Sequence, residues 1–345
     1  MSKNILREFL PRLVRHEALS RDEAENLLEA MLGEDATDAQ IAAVLVALAS
    51  KGETIDELAG MATALRRRAI RITSRHSCFI DTAGTGSSLA KTFNISTAAA
   101  FVVAAAGLPV AKHGNRAASS QSGSADLLSA LGVNVNAVPE VSEECLNEIG
   151  ICFMFAPLYH GATARVAGIR RQLGIHTTFN LLGPLSNPAG APRQIIGVWK
   201  RDLVERMARV LAASGTERAW VVHGDDGLDE ITLANKTRVA EVKGEEVSCF
   251  DIEPKAFGLW RGSLEHLRGG NAEANAKIIR EVLSGKRRDE ARALIIANAA
   301  AALFIGDVGT DLRSAARVAE ESIDSGAAQG KMEELINRTN RMTLA

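Results

Sequence analysis

The chain has 345 residues, of which 46% are hydrophobic and 24% charged, with a formal net charge of −2. This is ordinary globular composition, long enough for two unequal domains. The balanced charge argues against non-specific nucleic-acid binding, and 4% aromatic residues leave few platforms on which bases could stack.

The N-terminus, MSKNILREFLPRLVRHE, is charged throughout and does not read as a signal peptide. Ile5, Leu6, Phe9, Leu10, Leu13 and Val14 mark one face of a helix. Three capping boxes follow, Ser20/Glu23, Thr37/Gln40 and Thr54/Glu57, each predicting a helix start. Ile41 to Ala49 is apolar all round, which places that helix at the centre of the unit or at a subunit interface. Residues 1–72 thus read as a small all-helical domain.

After Arg66-Arg67-Arg68, expected to be a solvated face, the texture changes. CFIDTAG, LPVAKHG, ICFMFAP, QIIGVW and AWVVHG read as short buried strands. Helical patterns lie between them, at Ser96 to Ala106, Ser124 to Leu131, Val141 to Ile149 and Asp202 to Ser214. The alternation predicts a larger α/β domain, 73–345, with a largely parallel central sheet. Its longest apolar run, Ala98 to Ala111, is too short to span a membrane and contains Gly107 and Pro109. The four cysteines form no C-x-x-C pair, so free thiols in a reducing cytoplasm are expected, with neither a zinc site nor a disulfide framework. Two further helices are predicted, in GGNAEANAKIIREVLSG and in the nearly all-apolar DEARALIIANAAAALFIG, separated by a Lys286-Arg287-Arg288 face expected in solvent.

Ligands of parallel sheets bind at the carboxyl ends of the strands, and three motifs follow predicted strands directly. Gly84-Thr85-Gly86 precedes Asn94-Ile95-Ser96-Thr97, which opens a helix. As an isolated sequence, N-x-S-T is an ordinary helix cap. Behind a glycine turn it suits a phosphate at a helix N-terminus. Lys112-His113-Gly114-Asn115-Arg116 is followed by Ala117, Ala118 and a serine-rich stretch, combining cations, amides and hydroxyls. Two such loops imply a ligand with two separated phosphate groups, as in a sugar with a phosphate at one end and a pyrophosphate at the other. His113 is assigned no proton-transfer role. Asp225, Asp226, Asp229 and Glu230 lie in VVHGDDGLDEIT, and paired carboxylates there suit either Mg²⁺ or an acidic surface turn. Arg170-Arg171 could be a solvated helix face.

GTG…TFNIST, KHGNRAASS…SGSADLL, TTFNLLGPLSNPA, VVHGDDGLDEIT and ESIDSGAA occur in that order along essentially the whole chain. Together with the helical N-terminus they resemble the anthranilate phosphoribosyltransferase family. The resemblance implies transfer of the 5-phosphoribosyl group from phosphoribosyl pyrophosphate to the amine of anthranilate, with Mg²⁺ as cofactor. It also implies a homodimer joined through the helical domain, to which a segment near 163–180 would add. No nucleic-acid or membrane partner is expected.

The resemblance further implies residue roles. Gly84, Ser87, Ser88 and Thr92 would bind the phosphoribosyl donor with the helix start Asn94, Ile95, Ser96 and Thr97. The loop Lys112, His113, Gly114, Asn115, Arg116, Ala117, Ala118, Ser119 and Ser120 would join them, with Ser124. Ser96, Asp229 and Glu230 would hold Mg²⁺. Gly84, Asn115 and Arg170 would contact anthranilate, Arg170 facing its carboxylate. Lys112, Asn115 and Arg170 would be catalytic, the first stabilising the leaving group and the others aiming the acceptor. The chain departs from the family pattern at Ser87-Ser88, where Gly-Asp is usual, at Gly161-Ala162-Thr163, where Pro-Ala-Met is common, and at Gly168 and His176, where proline and arginine are usual.

Two other readings share the fold. A pyrimidine nucleoside phosphorylase is disfavoured by the GLDE acid pair and by Asn115 beside Arg116. A non-catalytic nucleic-acid-binding paralogue should have lost KHGNR and gained basic surface.

Overall fold

The computed structural model describes residues 5–86, 92–117 and 121–341. Four helices open the chain: α1 (Ile5–Val14), α2 (Arg21–Leu32), α3 (Asp38–Lys51) and α4 (Ile55–Arg68). The last three begin directly after Ser20, Thr37 and Thr54, and all three capping boxes form reciprocally. Each satisfies two backbone N–H groups that a helix start leaves without partners. Within the apolar segment of α3, Ile41, Val44, Leu45 and Leu48 are buried, while Val46 is 43% exposed.

The remainder alternates strands and helices: β1 (Ile80–Gly84), α5 (Ile95–Ala105), β2 (Val110–Gly114), α6 (Ser124–Leu131), α7 (Pro139–Ile149), β3 (Ile151–Phe155) and α8 (Ala156–Tyr159). There follow α9 (Ala164–Leu173), α10 (Thr178–Leu185), β4 (Arg193–Gly197), α11 (Leu203–Ala213) and β5 (Arg218–Gly224). An antiparallel pair, β6 (Thr237–Lys243) and β7 (Glu246–Ile252), precedes α12 (Ala272–Leu283), α13 (Glu290–Ile305), α14 (Leu312–Asp324) and α15 (Ala327–Arg341). The sheet has seven strands in the order β3-β2-β1-β4-β5-β6-β7. β3, β2, β1, β4 and β5 run parallel, so their carboxyl ends share one edge. The five strands read from the sequence are these five; the β6–β7 pair at the sheet's end is an addition.

Side chains alternate across a strand, and the two faces of this sheet feed two apolar clusters. Trp220 and Val222 of β5 join α5 and α12–α15 in one cluster. Ala219 and Val221 join α11 and the four N-terminal helices in the other. Val166 and Ile169 of α9 and Phe179, Leu181, Leu182 and Leu185 of α10 lie in that second cluster.

The arginine triplet needs a correction. Arg67 and Arg68 are surface residues paired with Glu25 and Glu29. Arg66 turns inward instead, and its Nε donates to the Leu185 carbonyl at the end of α10, 2.6 Å away. Burial pushes its pKa below the usual guanidinium value. That carbonyl is one of the terminal acceptors a helix leaves open, so the half-buried cation answers a need 119 residues away in sequence.

Candidate active site

The turn after β1, the end of β2, the start of α5 and the turn after β5 line one cavity of about 380 Å³. Gly84, Thr92, Asn94, Ile95, Ser96 and Thr97 form one wall, and Lys112 through Ala117 with Ser124 form another. Asp229, Glu230 and Arg170 complete it. Every described residue given a site role above therefore meets in one place. Ser87, Ser88, Ala118, Ser119 and Ser120 lie outside the described residues.

Close backbone approach sets this geometry. A Cβ on Gly114 would lie 2.1 Å from Ser124 Oγ, and one on Gly197 only 1.6 Å from the Asp229 carbonyl oxygen. Gly197 thus lets the β5 turn lie against the end of β4. A Cβ on Gly84 would sit 3.6 Å from Asp229 Oδ2, so that carboxylate lies over the glycine turn.

Lys112 is buried on the floor, its Nζ bonded to the Thr82 carbonyl. Thr82 Oγ1 donates to the Ser96 carbonyl at 3.1 Å, and Ser96 N donates to Glu230 Oε1 at 3.1 Å. Burial pushes the Lys112 pKa down, while Asp81 and Glu230 oppose it. Asp81 lies beneath, fully buried, with Oδ1 accepting the His113 N–H at 3.2 Å; burial raises its pKa to about 6. Burial raises the Glu230 pKa, and the like charge of Asp229 adds to the rise. The four acids of the GDDGLDE turn divide cleanly. Asp225 pairs with Arg201, and Asp226 accepts from the Leu228 N–H and the Thr232 hydroxyl. Asp229 and Glu230 face the cavity.

Asn94 makes no side-chain cap on α5. Its amide reaches across to the second loop, Nδ2 donating to the Ser122 carbonyl at 3.1 Å. Asp126 fixes that loop from below, accepting Ala117 N at 2.9 Å, Gly123 N at 3.0 Å and Arg116 Nη1 at 2.9 Å. Asn115 Oδ1 accepts the Arg116 N–H at 2.7 Å, leaving Nδ2 as the end that can donate to a ligand.

Arg170, on the last turn of α9, is no solvated face. Its Nη2 donates to Asn180 Oδ1 at 3.1 Å and its guanidinium lies over the Phe179 ring, 5.6 Å from the centroid. Its Nε is buried without a hydrogen-bond partner, as are Thr97 Oγ1 and His113 Nε2. All three belong to cavity-lining residues, and buried polar groups without partners are what a ligand site holds ready.

Asp81, Thr82, Asp126, Phe179 and Asn180 were not singled out from the sequence. Asp126 sits in SGSADLL and Asn180 in TTFNLLGP, both quoted as motifs, but only the fold reveals that Asp126 holds loop N–H groups and Asn180 the Arg170 side chain.

Residues 7–69 match the glycosyl transferase family, helical bundle domain, and residues 76–329 match the glycosyl transferase family, a/b domain. Together the two matches describe a two-domain glycosyl transferase, and the cavity lies at the strand ends of the second domain. The chain is 48% identical to the anthranilate phosphoribosyltransferase of Moorella thermoacetica, across 96% of this chain and 98% of the relative. It is 49% identical to that of Anaeromyxobacter dehalogenans, across 97% and 99%. The fold superposes on anthranilate phosphoribosyltransferase from Thermus thermophilus with a TM-score of 0.90 at 38% identity, covering 96% of this chain and 98% of that one. With the Saccharomyces cerevisiae enzyme in complex with PRPP and Mg the TM-score is 0.89 at 28% identity, covering 99% of each. The chain belongs to the anthranilate phosphoribosyltransferase family.

Proposed function

We propose that the protein transfers the phosphoribosyl group of phosphoribosyl pyrophosphate to the amine of anthranilate, releasing pyrophosphate. The observation that carries this is a single cavity holding two loops rich in backbone donors, a buried lysine, a carboxylate pair and a half-buried arginine whose Nε has no hydrogen-bond partner. In the reaction the C–N bond forms at the anomeric carbon as the C–O bond to pyrophosphate breaks, and the nitrogen sheds a proton. No protein nucleophile is required. Positive charge develops on the sugar and negative charge on the leaving group, so prearranged donors and cations do most of the work.

Lys112 supports the departing phosphates from the cavity floor. The N–H groups opening α5 and the KHGNR loop hold the two ends of the donor, with Gly84 and Gly114 allowing close approach. Arg170 Nε takes the anthranilate carboxylate, and Asn115 Nδ2 orients the acceptor against the sugar. Attack requires the reacting atoms to be about 3–3.5 Å apart, which makes positioning by Asn115 and Arg170 a catalytic contribution.

Asp229 and Glu230 fit a magnesium site, with Ser96 beside them. Two adjacent carboxylates, one forced toward its neutral form by the other and by burial, gain from a cation between them. Mg²⁺ typically takes one or two carboxylates and fills its shell with water and substrate phosphates. When bound, the ion would neutralise charge on the diphosphate.

The same reading makes the protein a cytoplasmic homodimer. Residues 1–72 would be the dimerisation domain, supplemented by the segment near 163–180, and 73–345 the catalytic domain. No helix among the described residues is long and apolar enough to cross a membrane. The test is loss of anthranilate fluorescence, requiring both phosphoribosyl pyrophosphate and Mg²⁺. Turnover of a pyrimidine nucleoside with inorganic phosphate instead would replace this reading.

A further inference from the structure

Asn275 lies on the second turn of α12, outside every motif that led to the site, and is 2% exposed. Its Oδ1 accepts the Gly270 N–H at 2.8 Å, and its Nδ2 donates to Asn94 Oδ1 at 3.1 Å. Asn94 Oδ1 also accepts from Ser122 Oγ at 3.3 Å, and Asn94 Nδ2 donates to the Ser122 carbonyl. The orientations of both amides follow from the ends of this chain. Gly270 offers only a backbone N–H, which makes the near atom of Asn275 an oxygen. The Ser122 main-chain oxygen can only accept, which makes the near atom of Asn94 a nitrogen. The one remaining contact must then be N–H to oxygen, as found.

The segment before α12 is pressed against the same strand of chain. Arg268 pairs with Thr92 in an isolated antiparallel bridge, and a Cβ on Gly269 would lie 2.2 Å from the Thr92 carbonyl oxygen. Residues 268–275, none of which lines the cavity, therefore brace Thr92 and Asn94. Asn94, the residue before α5, ties that helix start to the loop ending at Ser122. With both ends of its amide engaged inside the protein, Asn94 is a clasp between the two donor loops.

We propose that Asn275 is a positioning residue for the phosphoribosyl pyrophosphate half of the site, acting through Asn94 to fix the spacing of the two loops. The inference rests on the proposed transferase activity. Its ligand is the two-ended phosphorylated sugar, whose ends the two loops must meet at a set separation.

The decisive variant is Asn275→Asp. It keeps the acceptor for Gly270 and sets a second oxygen against Asn94 Oδ1, breaking only the link to the clasp. The expected result is a rise of about tenfold in the Michaelis constant for phosphoribosyl pyrophosphate, as for one buried hydrogen bond lost and an acceptor left facing an acceptor. The constant for anthranilate should stay within twofold and the melting temperature within a few degrees. Should Asn275→Asp fail to fold, Asn275→Ser, which is small enough for the space, is measured in its place. Equal changes in both Michaelis constants, or a loss of kcat alone, would make Asn275 a structural residue and overturn the proposal; so would wild-type constants. Calorimetric binding of phosphoribosyl pyrophosphate to both proteins separates the two ideas. If the wild type binds the donor without turnover, the transferase reading fails and the affinity ratio still decides for or against Asn275. If the wild type does not bind it, both fail.

Discussion

Arg170 has one guanidinium edge bonded to Asn180 and another, Nε, buried and unpartnered at the cavity. Burial lowers its pKa, yet an arginine remains charged, so the cation is available without a counter-ion of its own. A charge-assisted contact to a carboxylate is worth about 1.5–3 kcal/mol. Arg170→Ala should therefore raise the Michaelis constant for anthranilate by about tenfold to a hundredfold, leaving that for phosphoribosyl pyrophosphate nearly unchanged. Equal losses for both substrates in steady-state kinetics would make the residue structural. The carboxylate pair predicts the opposite asymmetry. Replacing Asp229 and Glu230 together by alanine should abolish the response of turnover to Mg²⁺ while circular dichroism stays native, because their partners lie at the cavity wall. Retained wild-type activity at limiting Mg²⁺ rejects the assignment. Asp229 and Glu230 stood out in the sequence because they follow a strand in an acidic turn, though spacing alone left a surface turn open; Arg170, on helix α9, came only from the family resemblance. Arg66 and Asp126 did not stand out, since each is defined by backbone groups it reaches only after folding, and Asn180 did not, since its tie to the Arg170 side chain forms only when α9 meets α10.

At the scale of elements, the site depends on two strand ends touching. Gly197 closes β4, and a methyl there would overlap the Asp229 carbonyl. Backbone cannot yield cheaply, so Gly197→Ala must displace the acid turn. Misplacing a catalytic group by about 1 Å costs about a hundredfold in rate, and that is the expected fall in turnover. Wild-type rates in Gly197→Ala would show that the turn is free to move. Beneath the cavity, His113 at the end of β2 and His160 after α8 pack with ring centroids 5.1 Å apart. Burial holds them near pKa values of about 3 and about 4, and the neighbouring His160 further lowers His113. Both stay neutral in the folded state, whereas the unfolded chain takes up protons below about pH 6.5. Their contribution to stability is therefore lost as pH falls from about 6.5 toward 4, by up to about 2 kcal/mol each at pH 5. Asp81, raised to about 6, acts in the opposite sense, since the folded state takes its proton first. His160→Gln should remove one histidine's share, flattening the fall in unfolding free energy by about 1.4 kcal/mol per pH unit between 6.5 and 4. Urea titrations at pH 5, 6 and 7 check this; a pH-independent offset from wild type counts against it. The parallel strands were legible because each is a short apolar run, and β1, β2 and β5 end in a glycine. The β6–β7 pair was not. Its outer strand is mostly half-exposed and carries Glu246 and Asp251, so it lacks the apolar run that marked the others.

The whole molecule divides less sharply than its sequence. The change of texture after Arg68 marks a real boundary in chain order, yet one apolar cluster runs from α1–α4 through Leu182 of α10 and Met207 of α11 to Val221 and Ala240 of the sheet. The N-terminal helices are thus packed on one face of the α/β core, with α9 and α10 between. Arg170 lies on α9 and Phe179 on α10, so the layer joining the two units also carries the proposed acceptor side of the cavity. Two large aliphatic side chains of the helical layer are exposed among its charged residues: Val14 at 64% and Val46 at 43%, the latter in the middle of an uncharged stretch of α3. Exposed aliphatic side chains on helices whose other face is already buried suit a second copy of the chain. A homodimer through this face should survive dilution to micromolar concentration in light scattering. Val46→Glu would set a carboxylate into that contact without touching the interior, because the side chain points away from the cluster. Burying an unpaired charge is unfavourable enough to outweigh a modest apolar interface. The variant should therefore scatter as a monomer while keeping its helical content and its melting cooperativity. If it remains a dimer, the subunits meet on another surface; if the wild type is itself a monomer, the apolar residues of α3 have no partner and the proposed assembly is wrong.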